Sequence, residues 1–310
     1  MQNFQKESGI DLTVLTPVHN KFLGLEKTFD SIKIAIDSVE AFQVAWIVSD
    51  NFSTDGSSKW LSQNQLEYGY QIIKPSVLLP ALENFRFLAQ ASNSTYSMIF
   101  AADDFCTENF FSALLSQAIS NNLDGVIANT VRGVDPVLTS QSRGKRRLKI
   151  RDALRLTGDS VEGVYSMYRT NLLTHSFLNL PPSSSGYGFD RVVWARLFIG
   201  NKTEQEEDIS EFRYKTTFDD PTKHTSSTLS NPKPLERALK TLALQREILR
   251  LLISNEKITI GKRLSNLIFV LPIHFIEIVD SALPTRLRIL SRNILNSCIS
   301  VYASIRKIDV

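Results

Sequence analysis

The stretch Tyr96-Ser-Met-Ile-Phe-Ala-Ala-Asp-Asp-Phe105 decides how the rest of the chain is read. Its first five residues, Tyr96 to Phe100, have strand character and stop at two alanines and two adjacent carboxylates. A short apolar run with aromatic and β-branched side chains predicts a buried strand. Asp103 and Asp104 then lie at its carboxyl end, and in open α/β sheets ligands bind in the crevice beyond those ends. Successive side chains of an extended chain point to opposite sides. One carboxylate can therefore hold a hard cation on a phosphate, and the other a ligand hydroxyl. The alternative is an acidic turn that caps the next helix, where Asp is common.

Upstream, strands and helical patterns alternate. Asp11-Leu-Thr-Val-Leu-Thr16 reads as a first strand that stops at Pro17, with Asn20 as the N-cap of a helix running to Glu40. Gln43–Ser49 reads as a second strand, and the polar knot Asp50-Asn-Phe-Ser-Thr-Asp-Gly56 opens a helix over Ser57–Tyr68. Tyr70–Lys74 reads as a third strand, and Leu78–Ala91 as a helix leading into the quoted strand. This alternation implies parallel βαβ units with right-handed crossovers. Downstream the spacing predicts a helix over about Asn109–Asn121 and strands at Asp124–Ala128 and Gly163–Tyr168. It also predicts an edge strand at Asp208–Thr217 and, from Pro234, helices almost to the end. The expected class is α/β, a mostly parallel Rossmann-like sheet flanked by helices, with a C-terminal helical extension. The domain division falls at 1–225 and 226–310.

The 310 residues are 43% hydrophobic and 22% charged, the balance of an ordinary globular chain. A net charge of +3 is too small to argue for nucleic acid. The charge is uneven, however. Residues 233–310 hold 13 Lys/Arg against 6 Asp/Glu, a balance of +7, against −4 for residues 1–232, which hints at an anionic surface for the tail. Two cysteines, Cys106 and Cys298, imply no disulfide framework. With no apolar leader in Met1–Glu7, the expected location is the cytoplasm, with the inner face of the membrane as an option. Six basic residues between Ser142 and Arg151 read as a solvated loop, or alternatively as a flap over an anionic ligand.

Three polar loops thus fall at strand ends: Thr16-Pro-Val-His-Asn20, Asp50-Asn-Phe-Ser53 and Asp103-Asp104. In this order they resemble the GT-A glycosyltransferases, particularly the inverting family 2. Leu15–Asn20 matches the first motif, Val48–Ser57 the second, and Glu83-Asn-Phe-Arg86 with Ala91–Asp104 the run-up to the third. The resemblance covers about residues 10–220. It implies metal-dependent, inverting transfer of a sugar from a nucleotide-diphosphate sugar to a glycan or lipid-linked acceptor, in cell-surface polysaccharide synthesis. Thr16 and Pro17, with Asn20, would border the nucleotide, and Asp50 or Asn51 would read the base, uridine or thymidine diphosphate sugars being favoured. Asp103 would bind the ribose or the cation, and Asp104 would ligate Mg²⁺ or Mn²⁺. Where the family often carries a further acid, this chain has Ala101 and Ala102. That departure supports one alternative, a catalytically silent nucleotide-sugar-binding protein.

Inverting transfer needs a base for the acceptor hydroxyl. The resemblance assigns it to Asp190, after the Pro181–Gly188 loop, although a first-turn acid is also favoured by the helix dipole alone. His19 and His224 are remaining candidates for a phosphate contact. Leu264–Leu283 contains Pro272, His274, Glu277 and Asp280, so it does not span a bilayer; Leu264–Ala282 and Leu287–Ile305 instead form apolar stripes. They predict packing on the catalytic domain or in a homodimer, with peripheral membrane contact as the other option.

Overall fold

The computed structural model describes residues 9–133, 163–180, 189–199, 201–205, 213–216 and 234–254. The basic segment at 142–151, the Pro181–Gly188 loop, His224, the 225/226 boundary and the stripes beyond 254 lie outside the described residues.

The first half alternates as its pattern requires: β1 (Leu12–Val18), α1 (Phe22–Asp37), β2 (Val44–Asp50), α2 (Ser57–Tyr68), β3 (Gln71–Ile73), α3 (Ala81–Ala91) and β4 (Tyr96–Ile99). There follow β5 (Asp104–Cys106), α4 (Phe110–Ser120), β6 (Gly125–Ile127), β7 (Thr130–Gly133), β8 (Met167–Arg169) and α5 (Thr170–Leu178). The last elements are α6 (Phe189–Phe198), β9 (Thr203–Gln205), β10 (Arg213–Thr216) and α7 (Pro234–Ser254). Among the described residues the main sheet has the order β3-β2-β1-β4-β8-β6-β9. Its pairings are parallel except that β8 runs antiparallel to both neighbours. A small second sheet, β5-β10-β7, begins at Asp104.

Alternation along the strands divides the core between two faces. Leu12, Val14, Trp46, Val48 and Met98 join α1 and α4 on one side. Leu15, Ile47 and Ile99 join α3, α5, α6 and α7 on the other. On the first side Phe29 sits among Trp46, Trp60 and Tyr70, with ring centroids 4.7, 5.2 and 5.2 Å away. Truncating such a buried ring costs about 3–5 kcal/mol, so this cluster fixes α1 and α2 against the sheet.

Several boundaries differ from the sequence expectation, each for a local reason. β1 continues through Pro17 to Val18. Phe100 N–H donates to Leu15 O, whereas Asn51 N–H donates to Val18 O, so odd-numbered residues of β1 face β4. β4 ends at Ile99, and the donor that Pro17 lacks would face beyond that end. Asn20 is not the N-cap of α1. That position belongs to Lys21, and Asn20 is left-handed at φ 52. α3 starts at Ala81 because Leu79 is held by Asn51. Residues 163–165 form a 3₁₀ turn, leaving Met167–Arg169 as the strand. β10 is the middle strand of the small sheet rather than an edge, and β9 had no alternating signature to announce it.

Candidate functional site

The register places three connections along one sheet edge. Val18 pairs with Asp50, and Leu15 with Ile99, so β1, β2 and β4 discharge their chains side by side. The first two loops are then laced together. Asn20 N–H donates to Ser53 Oγ (3.2 Å), and Thr54 N–H donates to Asn20 Oδ1 (2.8 Å). Lys21 N–H donates to Ser57 Oγ (3.1 Å), and Phe22 N–H donates to Asp55 Oδ2 (2.9 Å). His19 Nδ1 lies 2.7 Å from the Asn51 carbonyl. A carbonyl only accepts, so Nδ1 carries the proton. The left-handed turns at Asn20 and Phe52 (φ 52 and 57) bring these groups into register. At Gly56 φ is 103, and the Phe22 ring lies 3.4 Å from where a β-carbon would sit.

This lacing explains the polar knot after β2. Ser53, Asp55 and Ser57 accept from backbone N–H groups of the first loop, and Thr54 donates to the Asn20 side chain, so the loop is held by the chain's own groups. Burial alone would raise the Asp55 carboxyl, but donors from Ser57 and Phe22 outweigh it and hold the group below its ordinary value.

The sequence-predicted residues take distinct places around this edge. Thr16 is fully buried, and its hydroxyl accepts from Trp46 Nε1 at 3.0 Å. Pro17 pairs with Ser49 in the sheet. Asn51 is buried, donating through Nδ2 to Leu79 O (2.8 Å) and accepting at Oδ1 from Leu79 N–H (2.9 Å). It thereby clamps the segment that leads into α3. Asp50 is buried, accepting from Ser53 N–H at 3.2 Å and pairing with Lys74 Nζ at 3.0 Å.

Asp103 is tied to the first loop through Lys21, whose Nζ lies 2.5 Å from Oδ2. Asp104 is almost fully buried and opens the small sheet, pairing with Lys215 of β10. The two adjacent carboxylates therefore do face different surroundings. Asp190 stands in the first turn of α6. That helix leans on α3 through Phe189 and Phe85, whose rings are 5.7 Å apart. On α3, Arg86 donates to the carbonyls of Phe177 (2.9 Å) and Leu180 (3.2 Å). Lys21 and Lys74 escaped the sequence reading, and Arg86 entered it only within the Glu83–Arg86 motif, with no role given. Only their positions beside strand-end loops could have marked them.

The donor set bears on a metal. Among the described residues no three His, Cys, Asp or Glu side chains gather to hold an ion. An accessible carboxylate at Asp103 beside Asp104 fits a hard cation that uses one or two carboxylates and takes its other oxygens from a diphosphate. It does not fit a closed protein cage.

An α/β sheet of this order, with clasped strand-end loops and paired carboxylates at one edge, defines a GT-A-type domain. The model of glycosyl transferase family 2 matches residues 13–177, more than half of the chain. The chain belongs to that family and is a glycosyltransferase. No curated protein matches it in sequence. Among solved structures it is similar to TarS of S. aureus. For TarS 1–349 in complex with UDP-GlcNAc the identity is 14%, the TM-score 0.66, and the coverage 86% of this chain and 73% of that one. For the same fragment with UDP the identity is 13%, the TM-score 0.63, and the coverage 91% and 86%. Against a further TarS structure the identity is 13% and the TM-score 0.65, with 96% of this chain covering 55% of that chain. At such identities the likeness is one of fold.

Proposed function

We propose that the chain transfers a glycosyl unit, with inversion, from a nucleotide-diphosphate sugar to a glycan or lipid-linked acceptor in cell-surface polysaccharide synthesis. The observation that carries this reading is the edge at which the His19–Phe22 and Asn51–Ser57 loops are hydrogen-bonded together, with the Asp103 carboxylate attached to it through Lys21. A preformed edge of this kind suits a diphosphate ligand, because binding then orders few new groups. Thr16, Pro17 and Asn20 border the nucleotide, and Asp50 and Asn51 shape the base pocket. The TarS structures in complex with UDP and UDP-GlcNAc favour a uridine donor, with thymidine next.

In the proposed chemistry the acceptor oxygen attacks the anomeric carbon while Asp190 takes its proton. The bond from that carbon to the diphosphate oxygen breaks, and the electron pair leaves with the nucleoside diphosphate. Asp103 and Asp104 would hold Mg²⁺ or Mn²⁺, which when bound neutralises charge on the departing diphosphate. The exposed apolar side chains of α7, Leu239, Leu242 and Ile253, support a surface that a second subunit or the inner face of the membrane covers. Among the described residues no helix is long and apolar enough to cross a membrane.

Nucleoside diphosphate release from a panel of sugar donors, with and without Mn²⁺, tests the reading. Release from a uridine or thymidine donor is expected. No release from any donor by folded protein would favour the silent binding protein instead.

A further inference from the structure

We propose that Lys21 is a built-in counter-cation for Asp103, one that a divalent ion must displace and whose freed ammonium then pairs with the donor's diphosphate. The inference rests on the reading of Asp103 as a cation ligand and adds a competitor that the chain itself supplies.

Four observations carry it. The Lys21 Nζ to Asp103 Oδ2 distance is 2.5 Å, so the carboxylate is already charge-compensated. The two side chains remain 35% and 30% exposed, so the pair is open to exchange with solvent ions. The Lys21 backbone is fixed, because its N–H donates to Ser57 Oγ and the residue caps α1. Its four-carbon stem can therefore swing about a stationary Cα. Finally, Ala101 and Ala102 add no carboxylate beside the pair, and Asp104 is only 3% exposed. Among the described residues Asp103 is thus the acid a cation meets first, and it is already paired with an ammonium.

The charge balance then dictates an order of events. A lone divalent ion gains little by displacing the ammonium, because it gives up hydration for a single carboxylate and leaves the freed ammonium beside it as a second cation. A diphosphate changes that balance. It brings enough negative charge to satisfy the divalent ion and the ammonium together, so nucleotide and cation should bind synergistically, with Lys21 moving from Asp103 to a phosphate oxygen. Lysine suits the role, since its ammonium is a point charge on a flexible stem.

Lys21→Met keeps the stem and removes the charge. Mn²⁺ alone, followed by the electron paramagnetic resonance of the free ion, should bind the variant about fivefold more tightly than wild type, the upper scale for a partly exposed ion pair. UDP titrated calorimetrically at saturating Mn²⁺ should bind the variant about fivefold more weakly, because the ammonium–phosphate contact is lost, and Lys21→Arg should restore it. Shifts of opposite sign are the signature, because a merely structural lysine would weaken both ligands. If Lys21→Met destabilises the fold, Lys21→Gln carries the same two expectations. Unchanged or weaker Mn²⁺ binding in the charge-removing variant overturns the proposal, as does unchanged UDP binding. Asp103→Asn separates this failure from that of the underlying reading. If it leaves Mn²⁺ binding intact in the presence of UDP, Asp103 is no cation ligand. If it weakens Mn²⁺ while Lys21→Met does nothing, only the counter-cation role is lost.

Discussion

Lys74 Nζ lies 3.0 Å from Asp50 Oδ2, and the two side chains differ sharply in exposure, 52% for the lysine and 3% for the aspartate. The carboxylate reaches the surface of the proposed nucleotide site mainly through its partner. Lys74 also donates to Ser58 Oγ at 3.1 Å, which fixes the ammonium over α2. The half of the pair that reaches solvent is therefore an ammonium donor, which a carbonyl of a pyrimidine edge can meet.

That relationship predicts an acid-sensitive site. Burial on its own would raise the Asp50 carboxyl, but hydrogen bonds from Ser58, Lys74 and Ser53 outweigh it and hold the group below its ordinary value of 3.8. A depressed carboxyl stabilises the fold fully above 3.8 and loses that contribution as pH falls through the folded value. Lys74→Met removes one of the lowering donors and should move the acid-unfolding midpoint upward. Melting temperature followed against pH in both proteins checks this, and parallel curves would exclude the coupling.

Asn51 supplies a second prediction. Its amide satisfies both backbone groups of Leu79, and Asn51→Ala leaves them without that partner. The cost should be about 1–3 kcal/mol, which for a domain of this size lowers the melting temperature by a few degrees at about 2–4 °C per kcal/mol. Because Leu79 leads into α3, the Michaelis constant for the donor should rise more than turnover falls. A variant with wild-type melting and donor affinity would show the clamp to be idle.

Most of the catalytic half was legible in the sequence because its strands are buried on both faces. Leu12 to Leu15 and Trp46 to Val48 are apolar or nearly so throughout, and polar loops punctuate them. The failures cluster where tertiary contacts override local pattern. Nothing in Asp50–Gly56 reveals that Ser53 and Thr54 meet Asn20 more than thirty residues away. Ordinary capping preference therefore assigned Asn20 to the helix. Likewise Lys21 and Lys74 look like solvated lysines until the fold sets each beside a carboxylate. β9 and β10 are short, and their pairing partners are distant in sequence, so no periodicity could set β10 in the middle of its sheet.

Asp190 can be distinguished from an ordinary first-turn acid by one variant. If it is the base, Asp190→Asn should lower turnover by about 10²–10⁴-fold with donor affinity preserved. If it serves only the helix dipole, the change should cost about 0.3–1 kcal/mol of stability and leave turnover nearly intact. Turnover measured beside melting temperature separates the two outcomes.

Base selection gives a further test. Uridine and thymidine diphosphates should compete with the donor more strongly than guanosine diphosphate, whose larger base presents a different edge to Asp50 and Lys74. A competition assay in which guanosine diphosphate wins would remove Asp50 from the base pocket.

The measurement closest to the centre of the account is calorimetric titration of a uridine diphosphate sugar in Mn²⁺, on wild type and on Asp103→Asn and Asp104→Asn. A neutral amide keeps the shape of each side chain but loses the charge that a hard cation needs. Wild type should bind in a cation-dependent manner, and both variants, still folded, should lose that dependence. Variants that bind donor and cation as wild type does would contradict the assignment of the Asp103–Asp104 edge as the donor site.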